Sequence, residues 1–190
     1  MKNHFYISYS GNKRNECKTL YELIDFTNCK TFIEPFCGTC AVSYYIWLQN
    51  PDLKFILNDE NIFLKEMYEI YKDESKIDEF NKNYNNLVID RDKEKYNILK
   101  KNNNVMSWFV TNKIYNIRPG LFPIDKVSIK NINLRTYPIY NFFKNADIEF
   151  KNIDGLMLIE EYKNNGDSII FLDPPYLNTC NHFYNYEFLI

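Results

Sequence analysis

The chain has 190 residues, 45% of them hydrophobic and 17% aromatic, which suits one globular domain with a hydrophobic core and excludes a disordered chain. No apolar run reaches the length of about 18 residues that a membrane span needs, and the N-terminus lacks the apolar core of a signal peptide. We therefore expect an intracellular protein without a membrane segment, whose five cysteines are free thiols.

The net charge of −2 conceals an uneven distribution of charged residues along the chain. Residues 91–150 carry 11 Lys and Arg against 5 Asp and Glu, a balance of +6, so the remaining residues carry −8. A basic segment on an acidic protein is typical of a nucleic-acid-binding patch, although chance clustering on a solvated surface gives the same count.

The first part of the chain alternates strand and helix patterns. The predicted elements are a strand over 31–36, a turn over 37–40, a helix over 41–50, a strand over 54–58 and a helix over 60–72. Gly38 in the turn allows the backbone to approach a ligand, and Asp59, directly after the second strand, offers a carboxylate to ribose hydroxyls. This β-turn-α-β unit predicts the nucleoside-binding half of a doubly wound α/β sheet.

The turn after the first strand also has the spacing of a CxxC motif. Cys37 and Cys40 are spaced as in thiol redox sites and half zinc sites. No second CxxC follows, and the histidines are only His4 and His182, so neither role is favoured.

The second part of the chain contains a basic, aromatic stretch between strand patterns. Residues 73–105 predict one or two helices and 106–146 an irregular segment with a hairpin at about 112–126; a strand (147–154), a helix (155–166) and a strand (168–172) follow. We expect residues 1–72 and 147–190 to form one domain and residues 73–146 to be an inserted recognition segment.

The last strand pattern is followed by Asp173, Pro174, Pro175 and Tyr176. The two prolines prevent a helix or a strand from continuing. The carboxyl edge of a parallel sheet is where open α/β folds bind ligands, so these residues would form a rigid shelf there. An ordinary Asp-Pro turn would give the same pattern.

The order of these motifs resembles that of the Dam-type DNA adenine N6-methyltransferases, which use S-adenosylmethionine. The elements that carry the resemblance are YSGNK (9–13), IEPFCGTC (33–40), LNDEN (57–61), YNIRPGLF (115–122), Asp154 before a helix, and DPPY (173–176). The resemblance covers nearly the whole chain and implies a Rossmann-like methyltransferase sheet with an inserted DNA target-recognition segment.

The resemblance also implies roles for individual residues. Asp173 and the Pro174 carbonyl would accept the two N–H groups of a flipped-out adenine, Pro175 would keep the shelf rigid, and Tyr176 would stack on the base. The cofactor would contact Tyr9, Gly11, Lys13, Glu34, Phe36, Gly38, Asp59, Asp154 and Asp173, with Lys13 on the methionine carboxylate, Asp59 on the ribose and Asp154 on the adenine. Double-stranded DNA would contact Lys113, Asn116, Arg118 and Lys126, with Asn116 and Arg118 reading base edges.

Two departures from the family leave alternatives open. Cys40 stands where the family usually has a second glycine, and a side chain there weakens the cofactor turn if the residue has a positive φ. The chain also ends soon after Tyr176, where family members continue with further strands, so we expect the strand before Asp173 to lie at an edge and the chain to self-associate or to be marginally stable.

These departures allow three explanations: a truncated gene, a half-enzyme completed by a second chain, or a homodimer. The alternative function is a catalytically silent DNA-binding remnant or regulatory subunit. Methylation of RNA or of cytosine N4 is disfavoured by the DNA-reading hairpin and by Asp, rather than Ser, before Pro-Pro. The expected location is the cytoplasm of a prokaryote or of a virus-infected cell.

Overall fold

The computed structural model describes residues 13–87, 93–114 and 131–174. In these ranges the strands are β1 (Thr31–Glu34), β2 (Lys54–Asn58), β3 (Asp147–Lys151) and β4 (Ser168–Ile170). The helices are α1 (Cys17–Glu22), α2 (Ala41–Gln49), α3 (Ile62–Lys72), α4 (Glu74–Asn85), α5 (Lys93–Lys101), α6 (Val105–Ile114), α7 (Ile139–Asn145) and α8 (Gly155–Tyr162), with a 3₁₀ turn at Leu134–Thr136.

The four described strands form one parallel sheet in the order β3-β2-β1-β4. The register pairs Ile33 of β1 with Ile56 of β2 and with Ile170 of β4. The predicted β-turn-α-β unit and the Rossmann-like α/β fold are confirmed. Among the described strands β4 lies at an edge, as the sequence predicts.

The two faces of the sheet are covered to different depths. One face carries Phe32, Phe55 and Leu57, which are fully buried in a large aromatic core beneath α2, α3 and α7. The other face carries Ile33 and Ile56, which form a small cluster with Leu158 of α8. Strands that are buried on both faces explain the continuous apolar runs of β1 and β2.

The core extends well beyond the sheet. Phe142 of α7 meets Phe55 edge to face, with ring centroids 5.3 Å apart. Phe109 of α6 meets Phe80 and Tyr84 of α4 in the same way, at 5.1 and 5.4 Å. Part of the predicted insertion 73–146 therefore packs into the same core as the strands, and its assignment as a separate recognition segment stays a prediction.

The expectation that residues 106–146 are irregular is wrong where α6, the 3₁₀ turn and α7 lie. The predicted hairpin at about 112–126 is also wrong in its first residues, since 112–114 end α6; residues 115–126 lie outside the described ranges. Residues 106, 108, 109 and 110 are all apolar, so α6 lacks the spaced apolar positions by which a helix is recognised.

Smaller differences concern element ends. The predicted helix 155–166 ends at Tyr162, because residues 163–167 form a turn that leads into β4. Helix α1 was not anticipated. None of the helices in the described ranges is long and apolar enough to cross a membrane.

Candidate active site

The strand order reverses between β1 and β4, because the chain moves from β1 to β2 on one side and returns to β4 on the other. In open α/β sheets the crevice outside the carboxyl ends at such a reversal is the usual ligand site. Glu34 ends β1, and Asp173 follows β4 closely, after Phe171 donates its N–H to the Ile33 carbonyl at 2.9 Å. The structure thus brings the IEPF motif and Asp173 to one edge.

Glu34 is a buried acid at this edge, with 3% of its surface exposed. Ser43, in the first turn of α2, donates its backbone N–H at 3.3 Å and its hydroxyl to the same carboxylate oxygen. Burial raises the pKa of Glu34 to about 8, the negative charges of Asp173 and Asp59 raise it further, and the Ser43 bonds oppose the shift. Glu34 therefore joins the end of β1 to the start of α2, and its raised pKa favours the protonated form.

Asp59 lies at the carboxyl end of β2 and holds the turn after β1. One carboxylate oxygen accepts the Gly38 N–H at 2.9 Å, and the other accepts the Asn61 N–H at 2.9 Å. Burial raises the pKa of Asp59 to about 6, and these two bonds oppose the rise. Each oxygen keeps a further lone pair, so the carboxylate can still accept hydroxyl donors.

Asn58 has a structural role that the sequence analysis missed. Its side chain is fully buried, donates to the Pro35 and Ile153 carbonyls at 2.9 Å each, and accepts the Ile153 N–H at 2.9 Å. The amide thus joins the loops that follow β1 and β3. The sequence signal that could have revealed this role is an amide side chain directly after the apolar run FIL, within the strand.

The turn between β1 and α2 contains two left-handed residues. Gly38 has φ 48°, and Cys40, directly before α2, has φ 56° and is buried. The expected strain at Cys40 is therefore present, since a side chain in this conformation costs roughly 1–2 kcal/mol. The Cys37 and Cys40 thiols both lie beside the Gly38 carbonyl, at 3.8 and 3.9 Å, and burial raises both pKa values.

Phe36 and Asp154 lie at neighbouring positions of the same edge. Asp154 caps α8 by accepting the Leu156 N–H at 2.8 Å, so the predicted Asp before a helix is confirmed as a structural feature. The Phe36 ring lies against Gly155, where a β-carbon would come within 2.5 Å of the ring. Gly155 thus allows the half-buried ring to rest on the first residue of α8.

Lys13 and Asp173 form an ion pair across this edge. The Lys13 Nζ lies 2.6 Å from the Asp173 Oδ2, and the two side chains are 22% and 18% exposed. Pro174 is exposed next to this pair. The remaining predicted site residues at this edge, Tyr9, Gly11, Pro175 and Tyr176, lie outside the described ranges.

The predicted DNA-contacting residues are described only in part. Lys113 lies in the last turn of α6, while Asn116, Arg118 and Lys126 lie outside the described ranges. Two other basic residues of the segment 91–150 are engaged within the protein: Arg135 and Lys144 both pair with Glu74, at 2.8 Å each. These contacts lower the pKa of Glu74 to about 2 and reduce the net positive charge of that surface.

Together, the sheet and this edge define a Rossmann-like α/β protein whose acidic residues gather where the strand order reverses. Residues 9–121 match the D12 class N6 adenine-specific DNA methyltransferases, and the chain belongs to that family. The chain is also 28% identical over 188 residues to the Type II methyltransferase M.CviBI of Paramecium bursaria Chlorella virus NC1A; the match covers 90% of this chain and 68% of that relative. The predicted resemblance to DNA adenine N6-methyltransferases is confirmed at the level of the family.

Proposed function

We propose that this chain transfers a methyl group from S-adenosylmethionine to N6 of an adenine that is flipped out of double-stranded DNA. The observation that carries the proposal is the position of Asp173, which follows β4 at the strand-order reversal, raises the pKa of Glu34 through its charge and contacts Lys13. The family match supports the reaction class.

The described residues fit the cofactor. The Asp59 carboxylate, fixed by the Gly38 and Asn61 amides, retains lone pairs for two ribose hydroxyls. Lys13 would bind the methionine carboxylate, near Tyr9 and Gly11, and Phe36 and Asp154 would border the cofactor's adenine. The residues proposed to surround the cofactor are Tyr9, Gly11, Lys13, Glu34, Phe36, Gly38, Asp59, Asp154 and Asp173.

S-adenosylmethionine, when bound, supplies an electrophilic methyl on a positively charged sulfur. The N6 amino group of adenine is a poor nucleophile because its lone pair is delocalised into the ring. Asp173 would accept one N–H and the Pro174 carbonyl the other, which directs the lone pair toward the methyl group. The carboxylate would also stabilise the positive charge that develops on nitrogen as the C–N bond forms and the sulfur–methyl bond breaks, which leaves S-adenosylhomocysteine. The extra N6 proton would then pass to the Asp173 carboxylate and from there to water.

The target base must leave the duplex to reach this shelf, at a cost of a few kcal/mol that contacts in the pocket offset. Stacking on Tyr176 would supply roughly 1–3 kcal/mol of that compensation, and Pro175 would limit movement of the shelf. Arg118 and Asn116 would read base edges, while Lys113 and Lys126 would contact phosphates. Phe109 anchors α6 in the core, and this helix leads directly into the YNIRPGLF motif.

The test is transfer of radiolabelled methyl from S-adenosylmethionine to unmethylated, AT-rich duplex DNA, followed by digestion to nucleosides. We expect N6-methyladenine from the wild type and a loss of at least about 10²-fold in Asp173→Ala, with DNA binding retained. Asp167→Ala is the matched control, because Asp167 precedes β4 at the opposite end and forms an exposed ion pair with Lys30. Incorporation by Asp173→Ala at the wild-type rate would refute the assignment of Asp173.

A second candidate is a DNA-binding subunit that is completed by another chain or by a second copy of itself. Two observations favour it: the left-handed Cys40 in the cofactor turn, and the edge position of β4 among the described strands. Folded wild-type protein that binds DNA but incorporates no methyl would support it. Sedimentation velocity adds an independent check, since a monodisperse, stable monomer would count against self-association.

A further inference from the structure

The ion pair between Lys13 and Asp173 differs from the other ion pair at β4. At the start of β4, Lys30 and Asp167 lie 3.0 Å apart with 78% and 40% of their side chains exposed. At its end, Lys13 and Asp173 lie 2.6 Å apart with 22% and 18% exposed. Water screens the Lys30–Asp167 pair strongly and the Lys13–Asp173 pair much less. The electrostatic attraction between Lys13 and Asp173 is therefore the stronger of the two.

The surroundings of Asp173 are acidic, which favours a cation there. Glu34 at the end of β1 and Asp59 after β2 are acidic groups of the same edge, and Asp173 and Asp59 both raise the pKa of Glu34. The Cys17 thiol of α1 donates to the Lys13 carbonyl, and burial raises the pKa of that thiol to about 12, so the thiol carries no charge there. Among the described residues, Lys13 is a cation that makes direct contact with this acidic edge.

We propose that Lys13 is a positioning residue for Asp173: its ammonium holds the carboxylate Oδ2 so that Oδ1 faces the adenine amino group. This inference rests on the proposed function and adds to the expected contact of Lys13 with the methionine carboxylate. An ammonium has three N–H donors, so Lys13 can contact the Asp173 carboxylate and the methionine carboxylate of the cofactor at once. Cofactor binding and the orientation of Asp173 would then be coupled through a single side chain.

The kinetic test compares Lys13→Met with Lys13→Arg at saturating S-adenosylmethionine. Without the ammonium, Asp173 loses the contact that fixes its Oδ2, so the carboxylate meets the adenine amino group in the productive orientation less often. We expect the kcat of Lys13→Met to be at least about tenfold lower than that of the wild type. Lys13→Arg keeps the charge and the ion pair and should restore most of the wild-type kcat.

The control variant is Lys30→Met, which removes the exposed ion pair at the other end of β4 and should leave both kcat and KM unchanged. If Lys13→Met raises only the KM for S-adenosylmethionine and leaves kcat as in the wild type, the lysine binds the cofactor alone and the inference is wrong. A general loss of folding would appear as a lower Tm in both Lys13 variants and would not be reversed by arginine.

A second measurement separates this inference from the proposed function. Crystal structures of cofactor-free wild type, Lys13→Met and Lys30→Met would compare the orientation of the Asp173 carboxylate. We expect the carboxylate to leave its wild-type orientation in Lys13→Met but not in Lys30→Met. An unchanged orientation in Lys13→Met would overturn the inference even if the wild type methylates DNA. A changed orientation in a protein without methyl transfer would instead refute the proposed function.

Discussion

The two ends of the parallel sheet carry the same types of charged residue in different surroundings. At the amino end, Lys30–Asp167 and Lys54–Glu149 are exposed ion pairs at 3.0 and 3.1 Å. At the carboxyl end, Glu34 is buried with a raised pKa and Asp173 is mostly shielded from solvent. Exposed pairs of this kind contribute about 0–1 kcal/mol, whereas buried acids carry a desolvation cost.

This difference shows where the fold accepts a cost in stability. The amino end carries ordinary surface charges, and the carboxyl end has acids near the position where the order of the described strands reverses. Neutral or well-solvated residues at these positions would avoid the desolvation cost, and the folded protein would be more stable. The comparison therefore predicts that substitutions at the carboxyl end have large, pH-dependent effects and that matched substitutions at the amino end have small effects.

The largest effect on stability is expected from Asn58→Ala. The substitution leaves the Pro35 carbonyl and the Ile153 N–H without their buried partner and removes a fully buried side chain. We expect the free energy of unfolding to fall by about 3 kcal/mol, measured by urea denaturation. Lys54→Ala, at the other end of the same strand, should cost no more than about 1 kcal/mol. Equal losses of unfolding free energy in the two variants would contradict the difference between the carboxyl and amino ends of the sheet.

The next expected effect is a pH dependence of the free energy of unfolding, caused by Glu34. Its pKa of about 8 in the folded protein exceeds the value of about 4.3 for an unfolded chain, so the folded state binds more protons between these pH values. The contribution of Glu34 to stability is thus complete below pH of about 4.3 and is lost as pH rises through 8.

Glu34→Gln should remove this loss while retaining an acceptor for Ser43. We expect the stability of the variant relative to the wild type to rise by about 3–4 kcal/mol between pH 5 and pH 8 in denaturation curves. Glu149→Gln, at an exposed position, provides the control. A pH-independent difference between Glu34→Gln and the wild type would contradict the raised pKa.

The smallest effect on stability is expected from Cys40→Gly. Glycine removes the strain at φ 56° but increases the entropy of the unfolded chain, so the free energy of unfolding should change by less than about 1 kcal/mol. The relaxed turn should bind S-adenosylmethionine several-fold more tightly by calorimetry. Cys37→Ala, which removes the neighbouring thiol but not the left-handed residue, should not strengthen binding.

The elements nearest the site could be predicted from the sequence because they depend on local patterns. The strand 54–58 was predicted with its observed ends, and Asp59 and Asp154 lie where their motifs place them. Helix α6 was missed, because the apolar residues around Phe109 are consecutive and a buried helix needs no polar face.

The contacts between motifs could not be predicted in this way. Lys13 and Asp173 are far apart in the sequence and meet only because β4 pairs with β1. The Asn58 contacts depend likewise on β3 lying beside β2, which places Ile153 within reach of the amide. Such contacts follow from strand order and register, which local residue patterns do not determine.

The contact between Phe36 and Gly155 restricts how this edge can vary during evolution. A β-carbon at position 155 would come within 2.5 Å of the ring, so even alanine there must displace Phe36 from the start of α8. A smaller side chain at position 36 would restore the space. Positions 36 and 155 should therefore covary among homologues, with glycine at 155 wherever an aromatic ring is present at 36.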